Sequence, residues 1–200
     1  MEEHKQYEVT YSDGVKTPAC LYSRAKGTVV FGHGLDPART DHLNDPYGIL
    51  VNEACRSVDV SFLSYTARGH GQSTGWEDKD PSQFLWSSLS EDMYAVAARK
   101  YGLSLFIVSG FSMGSATALF CAMHHPENMD ALILVRPPTA WGTRVARKQH
   151  LLNAAQRMKA RNENAEDCHR YKVLEGAADA NMLPISHPDY AKIVYVRCSF

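Results

Sequence analysis

Short apolar runs and amphipathic stretches alternate along most of this chain, and glycine or proline punctuates them. QYEVTYSDGVKTPACLYS alternates on either side of Asp13-Gly14 and predicts a hairpin with its turn there. GTVVFGHG is a β-branched run closed by glycines, the pattern of a buried strand. PYGILVNEACRS follows as a predicted helix, with Ile49, Leu50 and Ala54 as the apolar positions at helical spacing. VDVSFLSYTARGHG predicts a second buried strand feeding a glycine-rich loop. SLSEDMYAVAARKYG predicts another helix, capped by Ser90 and ended by Gly102. LSLFIVSG, MGSATALFCAMHHP and DALILVRPP then read as strand, helix and strand, the last stopped by prolines.

Strand and helix thus alternate from about residue 28 to residue 136, which predicts an α/β fold: a mostly parallel sheet with helices on both faces. In such sheets ligands collect at the carboxyl ends of the strands. Gly32–Leu35, Arg68–Ser73 and Gly110–Gly114 all fall at those ends. From Ala140 to Ala178 the rhythm changes to helix, with Val145, Leu151, Leu152, Ala155 and Met158 as its apolar positions. The expected organisation is one domain over residues 1–200 with a helical cap insertion over 140–190. Another helix packed on the sheet is the alternative.

Composition narrows the function. Apolar residues at 44% and charged residues at 22% suit an ordinary globular chain, and a net charge of -1 gives no basic face for nucleic acid. Arg144, Arg147 and Lys148 read as a solvated helix face. Five scattered cysteines without a C-x-x-C pair predict neither a disulfide framework nor a zinc site. The polar start lacks a secretory signal and no apolar run reaches membrane-spanning length, so a soluble, cytoplasmic chain with no membrane span is expected.

Gly110-Phe111-Ser112-Met113-Gly114 fits G-x-S-x-G, after a predicted strand and before a predicted helix. A nucleophile on so sharp a turn sits in strained backbone angles, and side chains beside it would collide, so small residues surround it. The helix beginning at Met113 aims unpaired N–H groups and its positive dipole end at the same point. The Met113 N–H is therefore a candidate oxyanion donor, and the Leu35 N–H of the GHGL loop is the candidate second. For the motif alone, a structural glycine-rich turn is the alternative. Dinucleotide binding fails on spacing, because neither GHGLDP nor GHGQST completes G-x-G-x-x-G. No cofactor or metal is expected, and Cys168-His169 has no partner at ligand spacing.

VVFGHGLD, YTARGHGQSTGW, GFSMGSATAL and LILVRPPTAW, in that order, resemble the α/β-hydrolase superfamily. The likeness is to its capped group of serine esterases, lipases and proline-iminopeptidase-like enzymes. It runs from about residue 27 to residue 142, and YKVLEGAA near residue 171 is similar to the end of the cap in one subgroup. The resemblance implies a small-molecule acyl substrate, Ser112 as nucleophile, an oxyanion hole from Leu35 and Met113, and a bracing role for Arg68 to Gly71. A serine at the nucleophile position sets the chain apart from epoxide hydrolases and dehalogenases, which resemble the fold but use aspartate.

In this superfamily the order is nucleophile, acid, histidine. His33 and His70 are expected to shape their loops, and His124-His125 to end the helix after Ser112. His42, His150 and His169 are expected at the surface. Trp76, Trp86, Trp141, Leu151 and Met158 are read either as pocket lining or as plain packing. Downstream, Asp179 and His187 stand in the right order, but only ANMLPIS separates them. A crossover between neighbouring parallel strands needs a dozen or more residues, so this is a weak pair. The expectation is that acid and base are absent, with YAKIVYVRCSF a strand beginning at Ile193 and the fold incomplete at its C-terminus. Two functions are carried forward: a serine hydrolase, or a truncated or degenerate chain of that fold without catalysis.

Overall fold

The hairpin forms where the alternation puts it. Strands β1 (His4–Thr10) and β2 (Lys16–Tyr22) pair antiparallel with Thr10 opposite Lys16, and Gly14 takes φ +83° between them. The structure, a computed structural model, describes residues 4–35, 42–75, 80–138, 144–161 and 171–180. Strands β3 (Lys26–Gly32), β4 (Val60–Tyr65), β5 (Phe106–Phe111) and β6 (Met129–Val135) complete a sheet in the order β1-β2-β4-β3-β5-β6. β2 meets β4 antiparallel, while β4, β3, β5 and β6 run parallel. Helices α1 (Pro46–Ser57), α2 (Trp86–Tyr94) and α3 (Met113–His124) lie on the successive crossovers.

Alternate residues of the central strands serve opposite faces. Val29, Phe31 and Phe62 pack with Cys55 of α1, whereas Val30, Leu63 and Tyr65 pack with Leu89, Met93 and Phe120 from α2 and α3. Burial on both faces explains why these strands read as unbroken apolar runs. α3 is the central helix, buried at every residue from Met113 to Cys121.

Two sequence expectations change in the helices beside the sheet. In α1, Ile49 and Leu50 are 52% and 65% exposed and Ala54 is exposed too; Gly48, Val51 and Cys55 face the sheet instead. Asp45 fixes this rotation, its Oδ1 accepting the N–H groups of Tyr47 and Gly48 at 2.9 Å, and Pro46 occupies the first turn. The missing side chain at Gly48 lets the helix sit against the Phe31 ring, where a Cβ would come within 3.1 Å. Ser90 does not cap α2. That helix begins at Trp86, a buried core residue, and Ser90 is interior with its Oγ donating to the Ser87 carbonyl at 2.6 Å. A π-helical turn, Ala95–Lys100, prolongs α2, and Gly102 ends it at φ +67°.

Two further helices, α4 (Arg144–Arg161) and α5 (Tyr171–Ala180), break the strand–helix rhythm as expected. Leu151 and Ala155 bury against Leu174, Ala177 and Ala178, with Leu152 and Met158 partly covered. Val145, expected on that apolar face, is 70% exposed, because it lies in the first turn, before the helix reaches α5. The strand expected at Ile193 lies outside the described residues. Among the described residues no helix is long and apolar enough to cross a membrane.

Candidate active site

β5 ends at Phe111 and α3 begins at Met113, so Ser112 alone makes the turn. It does so at φ 51° and ψ −109°, a conformation an L residue keeps only under constraint. The constraint comes from both sides. The Ser112 N–H donates to the Val135 carbonyl at 3.0 Å, and its own carbonyl accepts the Ala116 N–H at 3.2 Å. A Cβ at Gly110 would overlap the backbone of Gly114 and Ser115, and one at Gly114 would overlap the Gly32 carbonyl. Backbone rests on backbone here, which is the physical reason for the flanking glycines. Ser112 stays half-buried, while Met113 is buried behind it.

The loop after β3 lies beside this turn, since Gly32 pairs with Gly110 across β3 and β5. His33 Nε2 accepts the Ala67 N–H at 2.8 Å, so its proton sits on Nδ1, which donates to the Gly34 carbonyl at 2.8 Å. That carbonyl and the Leu35 N–H share one rigid peptide plane, so His33 sets the direction of the Leu35 donor. Asp45 Oδ2 accepts the Gly34 N–H at 3.3 Å, adding a second hold that the sequence did not signal. Gly34 lies under the Phe111 ring, which stacks on Tyr47 at 3.7 Å. The Leu35 side chain packs against both the main core and the α4–α5 cluster. Ser112, Met113 and Leu35 thus sit at adjacent strand ends.

The loop after β4 is held by charge. Arg68 makes a bidentate pair with Asp92 of α2, Nε to Oδ2 at 2.5 Å and Nη2 to Oδ1 at 2.6 Å, and Nη1 reaches Asp13 at 2.9 Å. Both members of the Arg68–Asp92 pair are buried. Burial pushes the Asp92 carboxyl up to about 6, against the pull of Arg68. Burial also pulls the Arg68 guanidinium down, but Asp92 and Asp13 outweigh it and hold it raised and charged. α5 lies on this loop: a Cβ at Gly69 would meet Val173 at 2.6 Å.

The histidines divide between structure and surface. His70 Nδ1 bonds the Arg68 carbonyl at 3.0 Å, as a loop-shaping residue should. His42 is buried, not at the surface as expected, and its Nδ1 lies 2.7 Å from Thr66 Oγ1. It stands where the chain enters α1, and Thr66 draws it under the sheet edge. His124 and His125 close α3 and share Glu91 at 3.1 and 3.2 Å. His150 is exposed on α4, and His169 lies outside the described residues. Cys121 is pushed up to about 12 by burial, and Cys20 and Cys55 are raised for the same reason, so none offers a thiolate. Trp86 is core; Trp76 and Trp141 lie outside the described residues. The Asp179 backbone is in the last turn of α5, while its side chain and all of His187 fall outside them.

The fold resembles those of several solved structures. A hydrolase from Pseudomonas aeruginosa PA01 superposes with a TM-score of 0.63 at 19% identity, over 91% of this chain and 75% of its own. Mouse alpha/beta hydrolase domain-containing protein 10 gives 0.57 at 18% identity, over 78% of this chain and 59% of that one. An epoxide hydrolase from Vigna radiata gives 0.54 at 19%, over 67% and 38%. The chain therefore spans less than two thirds of the length of two of these three. Residues 28–177 match the family described as alpha/beta hydrolase fold, and with three quarters of its length inside that match the chain belongs to this family.

Proposed function

We propose that the chain carries the nucleophile and oxyanion hole of a serine hydrolase that cleaves an ester, amide or related acyl bond of a small molecule. The observation that supports this most is the Ser112 backbone, a non-glycine residue held at φ 51° between a parallel strand and a buried helix. In this reading Ser112 Oγ attacks the acyl carbon while its proton passes to a histidine base. The carbonyl oxygen becomes an oxyanion between the Leu35 and Met113 N–H groups. Collapse of the intermediate expels the leaving group, which takes that proton, and leaves an acyl-Ser112. Water then gives a proton to the base and its hydroxyl to the acyl carbon, releasing the acid and restoring Ser112. α4 and α5, within residues 140–190, would be the cap: their contacts with Leu35 and Gly69 set them beside two of the strand-end loops.

A fluorophosphonate probe followed by peptide mapping tests the assignment. Ser112 should be the modified serine, and labelling that persists in Ser112→Ala would sink it. Asp179 and His187 are the acid–base pair to examine, so His187→Ala should abolish labelling if they serve. A second reading, the hydrolase fold without catalysis, is favoured by one observation. His33 and His70, the histidines of the two neighbouring strand-end loops, already hold backbone groups. That reading expects nitrophenyl ester turnover equal in wild type and Ser112→Ala, with no more than the roughly 10³-fold background that an oxyanion hole and binding provide.

A further inference from the structure

Ser115 stands three residues beyond the candidate nucleophile, fully buried in the first turn of α3. Its hydroxyl touches three elements. Oγ lies 2.5 Å from the Gly110 carbonyl on β5 and 2.8 Å from the Val135 carbonyl on β6, and it accepts the Val135 N–H at 3.1 Å. With one proton it donates to one carbonyl at a time, while a lone pair takes the N–H. The Val135 carbonyl is also the group that receives the Ser112 N–H at 3.0 Å. One residue later Arg136 turns at φ 49°, so β6 leaves the sheet at this point.

A serine inside a helix commonly bonds back to the carbonyl four residues earlier, a local habit without further meaning. Thr117 does this, its Oγ1 donating to the Met113 carbonyl at 3.1 Å. Ser115 reaches past its own helix to two strands. We propose that Ser115 is a positioning residue for Ser112: its hydroxyl fixes Val135, and through that carbonyl it holds the elbow at positive φ. The inference rests on the reading of Ser112 as nucleophile.

Ser115→Thr and Ser115→Val share a shape, so their difference reads the hydroxyl alone. Amide hydrogen exchange at Ser112 should be at least about tenfold faster in the Val variant than in the Thr variant, with Ser115→Ala resembling Val. Thr117→Val should leave it at the wild-type rate. Fluorophosphonate labelling of Ser112 should fall in the same order. If exchange splits but wild type takes no probe, the nucleophile reading fails and the positioning role stands. Equal exchange in the Thr and Val variants overturns the positioning role, whether or not the probe reacts. Should neither fold, wild type against Ser115→Ala decides by the same measurement.

Discussion

The turn at Ser112 and the loop at Arg68 leave the same edge of the sheet and are held there by opposite means. At Ser112 the hold is steric. Gly110, Gly114 and Gly32 lack side chains, so the backbones of β5, α3 and β3 approach too closely for any Cβ between them. At Arg68 the hold is electrostatic, a buried guanidinium paired in a bidentate fork to a buried carboxylate 24 residues away. The first device rests on side chains that are absent and has no charge to titrate. The second depends on both partners being present, and one of them titrates. A site that needs backbone N–H groups fixed to a fraction of an ångström benefits from the first kind at its centre, with the second kind beside it.

Adding one methyl group should break the steric device. In Gly114→Ala the new Cβ would overlap the Gly32 carbonyl, and backbone, unlike a side chain, has no other rotamer to adopt. We expect a loss of about 4 kcal/mol or more, seen as loss of soluble, cooperatively unfolding protein. A urea midpoint close to wild type would show that the elbow is not locked in this way.

The charge device should break less severely and be replaceable. Arg68→Met leaves Asp92 buried without its fork, which should lower stability by about 3 kcal/mol. Asp13, 31% exposed, keeps access to water. Converting both members, Arg68→Met with Asp92→Leu, should recover much of that loss, since an apolar pair often substitutes for a buried ion pair. No second substitution should rescue Gly114→Ala so simply. A double variant as unstable as the single one would mean that the pair is needed for more than its charge.

The difference in mechanism also decides what the sequence could disclose. The elbow is local: five consecutive residues, a preceding apolar run and a following helix carry it, and its strained serine is where the motif puts it. The fork between Arg68 and Asp92 is non-local. Strand–helix alternation places the Arg68 loop at a strand end and family resemblance gives it a bracing role, but neither points to Asp92. Asp45 was equally hidden, because one carboxylate both caps α1 and holds Gly34 across an eleven-residue separation. The rotation of α1 was misread for a related reason. Apolar spacing favoured Ile49 and Leu50, whereas the cap and the small Gly48 turned them outward. His42, read as a surface residue, is likewise buried by a long-range bond to Thr66. Periodicity reports which residues could face inward, and contacts distant in sequence choose among them.

Acidity separates the two devices further. The Asp92 carboxyl is raised from 3.8 to about 6 by burial, with Glu91 and Asp13 adding to the rise. The folded state therefore binds a proton that the unfolded chain has already released. Its favourable contribution is fully present below about pH 4 and is lost as pH rises through about 6. Compared with Asp92→Asn, which cannot titrate, wild type should lose stability across that window, at most about 1.4 kcal/mol per pH unit. A glycine control such as Gly102→Ala should parallel wild type over the same range. Matching pH profiles for wild type and Asp92→Asn would mean that Arg68 cancels the burial effect.

The smallest effect should come from Glu91, whose charge lies between the two kinds of environment. Its carboxylate faces His124 and His125 at 3.1 and 3.2 Å on a surface where it is 48% exposed. Exposed pairs of this sort are worth roughly 0–1 kcal/mol and weaken with salt. Glu91 also repels the buried Asp92 carboxylate, one of the causes that raise it. Glu91→Gln removes both interactions at once, and they oppose each other. At pH 7 the lost surface pairing should be offset by relief at Asp92, leaving a change within about 0.5 kcal/mol. The two parts differ in their response to salt, because buried charges are screened less than exposed ones. Raising the ionic strength should therefore turn Glu91→Gln slightly more stable relative to wild type, measured as a shift in urea midpoint. A loss well above 1 kcal/mol that salt does not reduce would place Glu91 with the buried fork, and the boundary between the electrostatic device and the surface would have to be redrawn.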